Sequence, residues 1–239
     1  YPALFALTLI PGLVAAGLIA FAVQEKERAP VPHVSFGESL RALPPRFRRF
    51  LVAVGLFGAG DFAHTLLILL AAQKLAPELG AARAASVAVA LYVLHNVLYA
   101  GFAFLAGWLA DRFEKRKLLA AAYGLAAVTA LLIVLLPATL WTFALVFACG
   151  GIYVAAEEAL EDSFCAELVP DAHHGMAFGT LATVNGVGDF LSSIVVGVLW
   201  TVFGTAVAFG YSAVLFVTGS LLVWSLPPAS PVSRSPSPA

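Results

Sequence analysis

Roughly seven stretches of this sequence run for about twenty residues with almost no charged side chain, and this pattern decides the fold class before any motif is considered. A helix rises about 1.5 Å per residue and the hydrocarbon layer of a bilayer is about 30 Å thick, so about 20 apolar residues suffice to cross it. The stretches are Ala3–Val23, Phe50–Leu70, Ala84–Leu109, Leu118–Leu136, Leu140–Ala159, Met176–Trp200 and Ala206–Leu226. Membrane β-strands would read as alternating segments of about ten residues. These runs are unbroken and rich in Ala, Leu and Val, so the expected fold is all-α, a polytopic membrane bundle. Composition agrees: 61% of residues are hydrophobic and 11% charged, against about 25% charged in a soluble domain. A net charge of −1 offers no basic field for nucleic acid. The first run is followed, not preceded, by charge (Glu25, Lys26, Glu27, Arg28), which makes it a spanning helix rather than a secretory signal. It starts at once from Tyr1, so the natural sequence is expected to continue upstream.

Basic residues divide unevenly between alternate loops. Lys26, Arg28, Arg41, Arg46, Arg48 and Arg49 precede the second span, Arg112, Lys115, Arg116 and Lys117 follow the third, and Arg234 lies in the tail. Only Lys74 and Arg83 fall on the other side. Short cytoplasmic loops retain positive charge, so the first group is expected in the cytoplasm together with the C-terminus, and a plasma membrane suits the Ala-rich, short-loop style. The segment 162–174 shares that side without any Lys or Arg.

Residues 24–49 have a linker composition, with Pro30, Pro32, Pro44 and Pro45. Within it Ser35 and Glu38 form a capping box, and Phe36, Leu40, Leu43 and Phe47 recur at helical spacing, predicting a short amphipathic helix at the interface. The Pro/Ser-rich segment 227–239 cannot build a core and is expected to be disordered. Residues 50–226 form the expected six-helix body.

At the end of the third span the chain reads Gly107-Trp108-Leu109-Ala110-Asp111-Arg112-Phe113-Glu114-Lys115-Arg116-Lys117. This resembles the G-x-L-A-D-R-x-G-R-K loop of the major facilitator superfamily, with Glu114 where that family usually has Gly. Ala166-Glu167-Leu168-Val169-Pro170, Gly175-Met176-Ala177-Phe178-Gly179 and Gly197-Val198-Leu199-Trp200 resemble the family's penultimate helix and its entry. Leu40–Leu70 resembles its seventh helix, and Leu9-Ile10-Pro11-Gly12 its sixth. The resemblance implies helices six to twelve of a twelve-helix secondary transporter, whose N-terminal half would be the missing partner. It also implies a gating loop. There Gly107 would allow close helix packing, Asp111 would face the positive end of a helix in the other half, and Arg112, Lys115, Arg116 and Lys117 would fix the loop on the cytoplasmic side and pair with acids on neighbouring helices. Glu157, Glu158, Glu161 and Asp162 form an acidic cluster at the cytoplasmic end of the fifth span, expected either to gate against these basic loops or to be simply solvated.

Ionisable groups at membrane depth are expensive, and each marks a candidate site. Asp61 lies about 16 Å beyond Phe50, with His64 one turn on. His95 and Asn96 reach a similar level on the third span, and Asn185 and Asp189 share a face of the sixth. Transporters of this architecture bind substrate and coupling ion near the midplane. Asp61 and Asp189 are therefore the expected proton or cation sites, with His64 and His95 as partners and Asn96 and Asn185 as substrate hydrogen-bonders. Interhelical hydrogen bonding, or the lining of a passive wet cavity, is the alternative for all six. The expected activity is proton-coupled transport or efflux of a small organic solute. A proton-independent facilitator of cationic solutes and a non-transporting receptor or scaffold are the alternatives.

Other signals carry less. Gly58-Ala59-Gly60 with Ala63 mimics a dinucleotide fingerprint but lies inside a spanning run, so it reads as helix packing. Gly175, Gly179, Gly186 and Gly188 read as close packing or bending in the sixth span. His173 and His174 read as solvated loop residues without metal spacing, and Cys149 and Cys165 have no paired spacing. No enzymatic motif, cofactor or metal site is expected.

Overall fold

The computed structural model describes residues 2–22 and 43–227, in two units divided between Glu38 and Ser39. In the first unit, helix α1 (Pro2–Ala22) contains no ionisable residue and exposes Leu13, Leu18 and Phe21. Its 21 residues reach about 31 Å, enough to cross a bilayer. The capping box Ser35/Glu38, most of the expected amphipathic helix and residues 228–239 lie outside the described residues.

The second unit contains α2 (Pro45–Gly58), α3 (His64–Leu79), α4 (Ala81–Ala110), α5 (Lys115–Leu135), α6 (Leu140–Leu168), a 3-10 turn (Asp171–His173), α7 (His174–Phe203) and α8 (Thr205–Ser225). No strand occurs among the described residues. The helices α4 to α8 are each long and apolar enough to span a membrane. Two boundaries differ from the sequence reading. Residues 45–49, assigned there to the linker, start α2, with Pro45 in the first turn where its missing N–H costs nothing. Phe47 and Leu43 are buried in the bundle rather than at an interface. The stretch read as one span, Phe50–Leu70, is two helices separated by an unwound segment at residues 59–63.

The connections are short. Gly80 alone joins α3 to α4 at φ 78°, and Gly204 alone joins α7 to α8 at φ 89°, both left-handed conformations that a Cβ would strain. In the loop between α4 and α5, Glu114 adopts an ordinary φ of −66°, so this turn does not require the glycine that the family motif carries there.

An aromatic stack forms the centre. Phe57 of α2 lies face to face with Tyr123 of α5 at 3.8 Å and against Phe216 of α8 at 4.6 Å. Phe62, in the unwound segment, meets Phe209 of α8 edge-on at 4.7 Å. Where backbones cross closely the sequence supplies glycine. A Cβ on Gly188 of α7 would lie 3.0 Å from the Gly58 backbone, and one on Gly151 of α6 would overlap the His95 carbonyl of α4. Gly175, Gly179 and Gly186 meet nothing within 4 Å among the described residues.

One end of the bundle gathers the basic residues. Arg116 donates to the carbonyls of Trp224, at 3.2 Å, and Leu226, while Arg46 reaches Pro227 O at 2.6 Å, so two guanidinium groups cap the C-terminus of α8. Lys115 bonds Ser163 O at 3.3 Å and pairs with Glu167 at 3.4 Å.

Candidate functional site

The site is set by where α6 and α7 fail to close. These helices touch only briefly, whereas α6 packs along α4 and α5, and α7 along α2 and α8. A groove remains, made of two adjoining cavities of about 380 and 400 Å³ that share Glu157, Glu158 and Asn185.

The unwound segment 59–63 forms the inner wall. An interrupted helix frees backbone groups that lipid cannot satisfy, so such breaks survive only inside protein or along a wet cavity. Here the neighbouring helices satisfy them. Tyr211 of α8 donates to Ala59 O at 3.1 Å, and the buried Ser192 of α7 donates to the carbonyl of Asp61. The segment's own N–H groups turn back, Gly60 N to Phe57 O at 2.9 Å and Asp61 N to Gly58 O at 3.0 Å. Gly60 fits because α8 presses on it: a Cβ there would stand 2.8 Å from Leu215 Cβ. The result presents the Asp61 carboxylate to the groove, where Tyr153 of α6 lies 3.4 Å from Oδ1.

Of the midplane residues expected from sequence, Asp61, His64, Asn185 and Asp189 all line the first cavity. His95 does not. It is buried between α4 and α6 behind His64, the two rings 4.6 Å apart and edge-on. Asn96 turns away and donates to Tyr92 O of its own helix at 2.7 Å, so the structure does not bring it to the groove.

The acidic residues of α6 sit differently from a cluster at a helix end. The sequence reading stopped this span at Ala159, but the helix continues to Leu168, carrying Glu157, Glu158, Glu161 and Asp162 along the groove. Tyr99 of α4 donates to Glu158 at 2.5 Å. Glu161 is 2% exposed; one oxygen accepts from Tyr123 of α5 and the other from Asn185 Nδ2 at 2.7 Å. The sequence grouped Glu161 with the other acids at the end of the span and gave no sign of its burial or its two partners, and it did not single out Tyr123, Tyr153, Ser192 or Tyr211. The available signal was spacing: Tyr153, Glu157 and Glu161 recur every fourth residue and share one face.

The lining is one-signed. Six carboxylates face the groove and no Lys or Arg among the described residues does. No group of three or more His, Cys, Asp or Glu among the described residues is arranged to hold a metal ion.

The motif loop is turned outward. Asp111 is exposed, a Cβ on Gly107 would meet nothing within 4 Å among the described residues, and Arg112 stacks on Trp108 at 4.0 Å. Glu114 precedes α5 and holds Arg116 at 2.6 Å and Lys117 at 2.8 Å. The Lys117 hydrogen bond, aided by the Arg116 charge, keeps its carboxyl below the usual glutamate range. Arg116 therefore pairs with Glu114, and Lys115 with Glu167, rather than with Glu157 or Glu158. His174, read from sequence as solvated, instead ties the end of α6 through Val169 O at 2.9 Å and Ala166 O at 3.2 Å.

Comparison with known proteins agrees with this architecture. A family model described as Major Facilitator Superfamily matches residues 51–239. An uncharacterized MFS-type transporter of Methanocaldococcus jannaschii is 25% identical over 217 residues, which cover 91% of this chain and 52% of the relative. The chain thus spans about half the length of the curated relative it matches.

Proposed function

The chain belongs to the major facilitator superfamily, and from that premise we propose that it supplies the C-terminal half of a secondary transporter working by alternating access, exporting a small organic solute in exchange for protons. The observation that carries this reading is the groove: a carboxylate on an unwound backbone, at mid-depth, between two helices that close only loosely. Sites at broken helices near the midplane are how transporters of this kind hold substrate and coupling ion.

The one-signed lining gives the exchange a physical basis. A carboxylate balanced by a proton is not free to balance a cationic solute, so Asp61 and Asp189 would release one as they take the other. His64 stands beside them and His95 behind it. The same lining favours a second reading, a facilitator that admits cationic solutes without a coupling proton.

The outward-facing Gly107, Asp111 and Arg112 leave a surface for the other half of the protein, in keeping with a gating role. Arg46, Arg116 and the 111–114 loop share one end with the C-terminus of α8, which supports a cytoplasmic C-terminus by the positive-inside rule.

The test is uphill flux. The full-length protein in liposomes, given an inward-acid pH gradient, should accumulate a permeant dye cation such as ethidium, and Asp61→Asn should abolish accumulation while preserving dye exchange. Accumulation by Asp61→Asn equal to wild type would remove Asp61 from coupling, and protein-dependent equilibration of the dye with no accumulation under the gradient would favour the facilitator.

A further inference from the structure

We infer that Glu161 takes up and releases a proton during transport, with Tyr123 and Asn185 holding its ionised form; this rests on the transporter reading above. The geometry is selective for a carboxylate. Both of its oxygens accept, one from the Tyr123 hydroxyl and the other from the Asn185 amide. A glutamine, with one acceptor oxygen and one donating nitrogen, could not receive both.

The two oxygens have different surroundings. Tyr123 is fully buried in the aromatic stack, so the oxygen it holds faces the dry side. Asn185 lines the groove, so the oxygen it holds faces water. No Lys or Arg is bonded to Glu161 among the described residues. The titratable groups that act on it are Tyr123 from α5, Asp189 from α7, Asp61 from the unwound segment, and Glu157, Asp162 and Cys165 from its own helix. A buried carboxylate among acids, without a cation, is costly in the ionised state unless its hydrogen bonds hold it. Two donors favour that state and the surroundings oppose it, so the group is poised to change.

The step balances simply. A hydronium ion in the groove gives its proton to the water-facing oxygen, an O–H bond forms, and water remains. The Asn185 N–H then faces a donor, so the α6–α7 bond is lost or the amide must turn to present its oxygen. Asn185 and Tyr123 are positioning residues for this carboxylate.

Infrared difference spectroscopy of the full-length protein in liposomes, stepped through pH without substrate, tests the assignment. The protonated-acid carbonyl band that grows on acidification should lose one component in Glu161→Gln. Tyr123→Phe and Asn185→Ala each remove a donor to the ionised form. Each should move that component's midpoint to higher pH by about one to two pH units, as expected for a hydrogen bond to a charged group. An unchanged band in Glu161→Gln, or unmoved midpoints in both donor variants, would overturn the inference. Loss of the component in Glu161→Gln alongside a wild type that shows no proton-driven dye flux would keep the Glu161 site and remove the transporter reading instead.

Discussion

Removing the Ser192 hydroxyl should loosen the break in the second span without touching the groove. Ser192 is fully buried and donates to the Asp61 carbonyl, which the unwound segment has released from helical bonding. Alanine leaves that carbonyl in the protein interior with one lost partner, a cost of about 1–3 kcal/mol by soluble-protein experience. Hydrogen bonds in membrane proteins average nearer ~0.6 and reach ~1.7 kcal/mol, so about 1–1.5 kcal/mol is expected here. Tyr211→Phe strips the donor from Ala59 O, but Tyr211 is only partly buried and water can substitute in part, so about 0.5 kcal/mol is expected. Because both act on one five-residue segment, the double variant should depart from additivity by about 0.5 kcal/mol or more. The assay is reversible unfolding of the full-length protein from mixed micelles. Ser193→Ala is the control, since its neighbouring side chain lines the cavity. A Ser192→Ala effect within ~0.3 kcal/mol of that control would refute the idea that α7 pins the break.

Two further perturbations follow from the packing and the loop. Gly151→Ala should destabilise by about 1–3 kcal/mol through overpacking on the His95 backbone, whereas Gly101→Ala, with nothing within 4 Å among the described residues, should be near neutral in the same unfolding assay. Glu114, held below the usual glutamate range first by its hydrogen bond from Lys117, should steady the 111–114 loop at neutral pH and release it as pH falls through that lowered value. Hydrogen exchange of the loop amides should therefore accelerate at neutral pH in Glu114→Gln and match wild type in acid; equal protection at neutral pH would contradict this.

Hydropathy located the spans because lipid contact is a property of side chains. The runs at Leu118–Leu136 and Ala206–Leu226 coincide with α5 and α8 to within about three residues, the usual uncertainty of helix ends. It could not show the break at 59–63, because unwinding is a backbone event and Ala59, Phe62 and Ala63 are as apolar as a helix interior. Gly58, Gly60 and Asp61 were the trace of it, but without the Ser192 and Tyr211 donors nothing in the sequence separates a break from a packing seam. Depth counting along helices brought Asp61, His64, Asn185 and Asp189 to one cavity. The same counting failed for Asn96, because depth does not fix the direction a side chain takes around its helix, and Asn96 folds onto its own backbone. Glu161 reads from sequence only as one of four acids at the cytoplasmic end of its span, because the hydropathy run stops at Ala159, where the carboxylates depress it, although the helix continues past them to Leu168.

Alternating access is tested most directly at the groove wall. With Cys149 and Cys165 replaced by Ala, a cysteine at Ser193, which lines the first cavity, can be labelled by a membrane-impermeant maleimide in vesicles of either orientation. A transporter of the proposed kind should expose that thiol to both sides in turn, with an imposed pH change shifting the ratio of the two labelling rates. Labelling from one side alone at every pH would contradict it.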